Sequence, residues 1–268
     1  MTASQNDLND FAAFAGQLAD AAGSAILPHF RQSIAVHDKA GQDDFDPVTE
    51  ADRAGEAAMR RLIEDRFPDH GIIGEEFEDK PSASGLSWVL DPIDGTRAFI
   101  CGLPLWGTLI ALADGGRPLL GMVDQPYLKE RFVGVTGDGD GTSALNGRPL
   151  RTRACGDLAD AALSTTGIAW FTPAEQTAFL AVEARARLTR YGYDCYAYCM
   201  LAHGFLDLVV EAGLQPYDIQ ALIPIIEGAG GVVTDWSGGD AAGGGQILAA
   251  GDRRVHAQAL EVLHGAMG

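Results

Sequence analysis

The segment Trp88-Val89-Leu90-Asp91-Pro92-Ile93-Asp94-Gly95-Thr96 runs an apolar strand into two carboxylates and a Gly-Thr turn. Asp91 and Asp94 are hard oxygen ligands three residues apart, a spacing that a tight turn folds onto one cation or a pair of them. Pro92 stiffens the turn by fixing its own φ. Gly95 permits close backbone approach, and Thr96 can begin a helix whose first N–H groups would face an anion drawn in by the cations. The residue types therefore point to metal-assisted chemistry on a phosphate. Taken alone the pattern is weak, because turns favour Asp for its local hydrogen bonds.

Three further acidic segments strengthen it. Gly71-Ile72-Ile73-Gly74-Glu75-Glu76 is a short apolar run ending in paired glutamates, and Asp46-Pro47-Val48-Thr49-Glu50-Ala51-Asp52 opens a helix. Downstream, Gln215-Pro216-Tyr217-Asp218 sets an aspartate at the start of another helix. In this order the four segments resemble the inositol monophosphatase family of magnesium-dependent, lithium-sensitive phosphatases, over roughly residues 36–251.

That resemblance implies roles. Asp91 would bridge two Mg²⁺ ions, with Glu75 and the Ile93 carbonyl completing one shell and Asp94 and Asp218 on the other. Two ions ~3.5–4 Å apart can stabilise both the attacking and the leaving oxygen of a phosphoryl displacement. Mn²⁺ would substitute. Glu76 either supports a third ion through water or is simply solvated. The nucleophile would be a water activated by the ions, held against Thr96 Oγ1 with Asp52 behind it, so that Asp52, Thr96 and Glu75 form the catalytic set. Asp52 in a first helical turn would favour the helix dipole whatever else it does. Gly95 and Thr96 amides would hold the phosphate. Lys39 falls near a lysine the family uses, and Asp44 belongs to an acidic loop over residues 40–46 that either closes over substrate or does not.

The alcohol side of the substrate is set by other positions. Asp94, Arg97, Asp194 and Glu211 fall where the family lines its alcohol pocket. Inositol phosphatases carry a small residue at the place of Asp194, so a second carboxylate suggests a cationic alcohol. With Tyr191-Gly192-Tyr193-Asp194-Cys195-Tyr196-Ala197 and Leu214-Gln215-Pro216-Tyr217-Asp218, the chain looks like the bacterial histidinol-phosphate phosphatase branch. Asp194 would alternatively cap the helix that follows it, an ordinary use of Asp. The competing functions are an inositol-1-phosphate or broad sugar-phosphate phosphatase, and a catalytically silent metal- or ligand-binding regulator on the same scaffold.

Composition fits such an enzyme. A chain of 268 residues, 47% hydrophobic, can bury a full core. The net charge of −18 argues against nucleic acid or an anionic membrane as partner, and makes cations necessary if the substrate is an anion. Residues 1–10 lack a basic stretch before an apolar run, and residues 103–113 are too short to span a bilayer, so a cytoplasmic protein is expected. Cys101, Cys155, Cys195 and Cys199 lack Cys-x-x-Cys spacing and are expected as reduced packing residues. The resemblance adds a homodimer acting on a small phosphate monoester.

The elements that position these residues follow from periodicity. Residues 7–30 carry apolar side chains at helical spacing, and a second helix runs from 49 or 52 to 66. Strands are expected at 88–91, 106–113, 119–125 and 131–135, spaced for an antiparallel sheet. Asn146-Gly147 marks a tight turn. Beyond it, strands at 161–165, 188–190, 206–210, 231–234 and 246–249 alternate with helices at 173–187, 195–203, 218–227 and 253–263. Four tyrosines, at 191, 193, 196 and 198, either wall the pocket or pack. Residues 228–231 read as a helix stop and 238–245 as a flexible surface loop. The chain is expected to divide into a 1–146 half with most metal ligands and a 147–268 half with Asp218 and the substrate pocket. Patterns alone give mixed α and β; the resemblance implies a layered α-β-α-β-α sandwich.

Overall fold

The structure is a computed structural model that describes residues 5–33, 36–38, 47–136 and 141–267. Lys39 and Asp44 lie outside the described residues. Helix α1 (Gln5–Ile26), the short strands β1 (Val36–Asp38) and β2 (Pro47–Thr49), and helix α2 (Glu50–Arg66) come first. They precede strands β3 (Gly71–Gly74) and β4 (Leu86–Asp94), helix α3 (Thr96–Ile100), and strands β5 (Gly107–Asp114), β6 (Arg117–Gln125), β7 (Glu130–Val135), β8 (Thr142–Leu145) and β9 (Arg148–Pro149). The remainder is β10 (Ala162–Thr165), α4 (Pro173–Glu183), β11 (Leu188–Tyr191), α5 (Asp194–Ala202), β12 (Leu208–Leu214), α6 (Pro216–Ile219), α7 (Leu222–Gly228), β13 (Val232–Asp235), β14 (Gly245–Ala250) and α8 (Arg253–Met267).

Strands β3 to β9 form one sheet in sequence order, parallel only between β3 and β4. The second sheet runs β11-β10-β12-β14-β13, with β11, β10 and β12 parallel and the other pairs antiparallel. Helices α1 and α2 cover the outer face of the first sheet, α5 and α7 lie between the sheets, and α4 and α8 cover the far face of the second. These five layers are the expected α-β-α-β-α sandwich. Asn146 and Gly147, both at positive φ, make the tight turn, which joins β8 to β9 within the first sheet.

Alternation along β5 explains why it reads as an unbroken apolar run. Ile110 and Leu112 face the core under α1 and α2, whereas Leu109, Ala111 and Ala113 face the core between the sheets. A strand buried on both faces loses its polar alternation. In β12 the same rule sends Val209 to the central core and Leu208, Val210 and Ala212 to the outer one.

Some boundaries differ from the sequence expectation for physical reasons. The first helix stops at Ile26 and tightens into a 3₁₀ turn at Leu27–His29, where Pro28 can donate no helical hydrogen bond. The expected helix at 218–227 is two helices, α6 and α7, because Pro224 has no N–H to return to the Gln220 carbonyl. Residues 238–245 are not a free surface loop. Ala241 and Ala242 are buried, and the Ala242 carbonyl accepts a hydrogen bond from Gln220 Nε2 at 3.0 Å.

The approach of α7 to the first sheet depends on glycine. Gly121 and Gly134 pair across β6 and β7 and leave a shallow groove. A Cβ on Gly121 would lie 1.9 Å from the Ala221 carbonyl oxygen, and one on Gly134 would lie 2.3 Å from Ile225 N. Since only backbone stands opposite, no side-chain rotation relieves the clash. Gly121→Ala is expected to destabilise the protein by about 3 kcal/mol, the upper end for overpacking. Urea unfolding measures it; an unchanged midpoint and slope would show that α7 can lift off the sheet freely.

Candidate active site

A bulge in β4 gathers the first carboxylates. Asp91 pairs with Leu109 and Asp94 with Gly107, so three steps on β4 oppose two on β5. In a regular strand, residues three apart point to opposite faces; the extra residue returns Asp94 to the side of Asp91. Hydrogen bonds fix the bulge: Ile93 N donates to Asp91 Oδ1 at 2.9 Å, and Thr108 Oγ1 donates to the Pro92 carbonyl at 2.8 Å. Asp218 enters from α6, where its Oδ2 accepts from Gln215 N at 2.6 Å. One carboxylate oxygen from each of Asp91, Asp94 and Asp218 lies within 4.8 Å of the others.

Glu75, just beyond β3, shares a hydrogen bond with the Asp91 carboxyl. Burial, then the charges of Glu75, Asp94 and Asp218, push the Asp91 carboxyl well above the usual carboxylate range. Asp94 is also held well above it, first by burial and then by Asp194 and Asp218. Oxygen donors alone, buried together and resisting ionisation, fit hard divalent cations, which reverse that repulsion.

Behind Glu75 stands a residue the sequence reading did not single out. Glu56, on α2, is fully buried, and accepts from Arg60 Nε at 2.7 Å and from Glu76 N at 2.8 Å. A Cβ on Gly74 would meet Glu56 Oε1 at 2.1 Å, which explains the glycine before the paired glutamates. Glu76 turns its buried side chain towards Arg53, 3.8 Å away; it is not the solvated side chain offered as one alternative. Glu56→Ala removes the anchor of this turn and leaves Arg60 without its buried partner. A loss of about 3–5 kcal/mol in stability is expected, together with a roughly 10–100-fold weaker cation affinity. Calorimetric titration with Mg²⁺ and thermal melting check the two separately.

Asp52 and Thr96 come together as the resemblance implied. Thr49 caps α2 and donates through both N and Oγ1 to Asp52 Oδ2, at 2.8 and 2.5 Å. Asp52 Oδ1 then lies 3.4 Å from Thr96 Oγ1, which is also 3.1 Å from the Ile93 carbonyl. Gly95 has φ 86°, a conformation that favours glycine, and a Cβ there would press on the Leu105 carbonyl at 3.1 Å and on Asp194 Cβ at 3.2 Å.

Asp194 is not the side-chain cap of α5. The cap is Asp94, whose Oδ2 accepts from Cys195 N at 2.6 Å, joining the first sheet to the central helix layer. Asp194 instead adopts φ 46°, a left-handed conformation Asp tolerates, and it faces a cavity of about 400 Å³. Glu75, Asp94, Gly95, Thr96, Arg97, Glu211 and Asp218 line the same cavity. Burial pushes Asp194 up to about 6, opposed by Arg97. Glu211 is pushed up to about 8 by burial, despite hydrogen bonds from Thr166 N at 2.5 Å and Thr165 Oγ1 at 3.1 Å. Of the four tyrosines only Tyr198 reaches the cavity; Tyr191 and Tyr196 bond to Glu183 and Glu130, and Tyr193 packs on the central core. Cys155, Cys195 and Cys199 are buried, Cys101 is exposed, and all four are free thiols.

Residues 7–267 match the pattern of the inositol monophosphatase family. The chain belongs to that family. It is 45% identical to the bifunctional phosphatase IMPL2 of Arabidopsis thaliana, over 97% of this chain and 77% of the relative. A histidinol-phosphatase of Chlorobaculum parvum is 38% identical over 83% of this chain and 84% of its own. Among solved structures, an inositol monophosphatase from Zymomonas mobilis superposes with a TM-score of 0.86 at 42% identity, covering 98% of this chain and all of that one. As a family member the protein is a phosphoric monoester hydrolase; the family is generally metal-dependent, and the acidic cluster of Asp91, Asp94 and Asp218 is of the kind that could hold an ion. No helix among the described residues is long and apolar enough to cross a membrane.

Proposed function

We propose that the protein is a Mg²⁺-dependent phosphomonoesterase that hydrolyses L-histidinol phosphate to L-histidinol and phosphate. The observation that carries the reading is the pair Asp194 and Glu211, two carboxylates that line the same cavity as the metal-type cluster and would match a cationic alcohol. Glu75, Asp91, Asp94, Asp218 and the Ile93 carbonyl would hold the cations, two or three per site, with Mn²⁺ able to replace Mg²⁺. When bound, these cations supply the positive charge that draws in the phosphate and an activated water for in-line displacement.

The remaining work falls to the chain. Asp52, its Oδ2 occupied by Thr49, offers Oδ1 to the Thr96 hydroxyl. With its one proton taken by Asp52 Oδ1 or by the Ile93 carbonyl, Thr96 Oγ1 presents lone pairs that accept a hydrogen bond from the attacking water and orient it. First-turn N–H groups of α3 lack intrahelical acceptors and suit the phosphate oxygens. Asp194 and Glu211 would take the ammonium and the protonated imidazole of the leaving alcohol. The histidinol-phosphatase relative supports this substrate and a place in histidine synthesis. The family resemblance supports a homodimer, and the sequence patterns described above support a cytoplasmic location.

The inositol monophosphatase from Zymomonas mobilis favours a second reading, an inositol-1-phosphate phosphatase. Phosphate release with Mg²⁺ separates them, with EDTA as control. We expect kcat/KM for L-histidinol phosphate to exceed that for myo-inositol 1-phosphate by about a hundredfold, roughly 2.7 kcal/mol. A ratio near one would remove the cationic alcohol from the proposal. No release of phosphate under any metal condition would identify a silent scaffold.

A further inference from the structure

Trp170 has no assigned role, yet its setting is unusual. Trp88, Trp106 and Trp236 are fully buried, whereas Trp170 is 41% exposed. Among the exposed large apolar side chains of the described residues, it alone lines the cavity that holds Asp194 and Glu211.

Its exposure does not come from a loose loop. Residues 166–172, between β10 and α4, are pinned by Gln176 Nε2, which donates to the Ile168 and Phe171 carbonyls at 3.1 and 3.0 Å. Phe171 itself is buried against Phe179 and Trp236. The indole is also braced. The Arg97 guanidinium sits 4.9 Å from the Trp170 ring centroid, and a Cβ on Gly167 would lie 2.9 Å from Trp170 Cη2. Gly213, at the bulge of β12 with φ 83°, passes close by the indole Cδ1.

Leaving this much indole open inside a polar cavity is unfavourable in water, and a bound ring would relieve it. A polyol presents hydroxyls in several directions and gains little from a flat apolar wall. A planar heteroaromatic ring gains by stacking. Arg97 extends the platform, since a guanidinium stacks on rings as readily as it lies on them.

We propose that Trp170, braced by Arg97, is a specificity residue that stacks on the planar ring of the leaving alcohol. The inference rests on the cationic-alcohol reading above and adds to it: charge is read by Asp194 and Glu211, flatness by Trp170.

The test compares L-histidinol phosphate with L-alaninol phosphate, the same amino-alcohol ester without the ring, and with myo-inositol 1-phosphate. Trp170→Ala should reduce the ring-bearing to ringless ratio of kcat/KM about tenfold, equivalent to 1.4 kcal/mol, through KM rather than kcat because stacking is shared by ground and transition states. Trp170→Phe should keep most of the ratio. Gly167→Ala, which displaces the indole from outside the cavity, should lower it. Indole fluorescence gives an independent readout: L-histidinol should quench the wild type and not Trp170→Phe. A wild-type preference for L-histidinol phosphate that survives intact in Trp170→Ala would overturn the role of Trp170 alone, as would equal losses on both amino-alcohol esters. A wild type with no preference for L-histidinol phosphate over myo-inositol 1-phosphate would overturn the substrate reading and this inference with it.

Discussion

Asp91→Asn is expected to lower kcat/KM by at least about a thousandfold, some 4 kcal/mol of transition-state stabilisation, while the metal-free protein becomes no less stable. Both halves follow from the same surroundings. Asp91 is buried with Glu75, Asp94 and Asp218 around it, and its carboxyl resists ionisation there. The amide keeps an oxygen to accept from Ile93 N, so the bulge in β4 survives. What disappears is a carboxylate oxygen at the centre of the cluster, and with it a negative charge that would hold the cations. In EDTA, removing a repelling carboxylate from a buried group should leave the melting temperature equal or higher. Added Mg²⁺ should then raise the melting temperature of the wild type, because a ligand that binds only the folded state stabilises it, and should raise the mutant's far less. Phosphate release and thermal melting with and without Mg²⁺ check both halves. A mutant that retained a tenth of wild-type activity would mean that the cations are held elsewhere.

The cluster was legible in the sequence because each of its members sits at the end of an element. Glu75 follows the last residue of β3, Asp91 and Asp94 end β4, Asp52 and Asp218 lie in first turns, and all have turn or capping residues beside them. End positions carry signals that a single chain displays. Glu56 was not legible. It lies nearly two turns into α2, four residues before an arginine, where a Glu and Arg at i, i+4 read as an ordinary exposed pair. Only the Gly74 strand lying against that face turns the pair into a buried anchor. Asp194 was legible as a pocket residue, but its alternative reading as a cap fails, because Asp94 from a strand a hundred residues away already occupies that N–H. The break between α6 and α7 was visible in Pro224, while the burial of Ala241 and Ala242 beneath a glycine-rich stretch was not, because composition reports chain flexibility and not the neighbours that remove it. Trp170 is a further case: its loop has no periodicity, and nothing local distinguishes a tryptophan facing a cavity from one in a core.

Glu211→Gln should divide binding of a cationic alcohol from everything else at the site. Burial pushes the Glu211 carboxyl up to about 8, so near neutral pH it is mostly a neutral acid, and an amide of the same shape replaces it with little disturbance. The amide oxygen can still accept from Thr166 N, and its NH₂ can donate to Thr165 Oγ1. Stability should even rise. A carboxyl whose folded pKa exceeds its unfolded value of about 4.3 makes the native state take up protons on folding, so its contribution falls as pH rises from about 4.3 towards 8. The mutant loses that slope, and its advantage in EDTA should grow over the same interval. Catalysis should move the other way. An incoming ammonium or imidazolium ionises Glu211, and the amide cannot answer that charge. Leaving one member of a buried charge pair unmatched costs roughly 2–5 kcal/mol, so kcat/KM for L-histidinol phosphate should drop by at least ~30-fold. Turnover of myo-inositol 1-phosphate, which brings no cation, should change little. Equal losses on both esters would make Glu211 a support for Thr165 and Thr166 rather than a reader of charge, and would leave that role to Asp194.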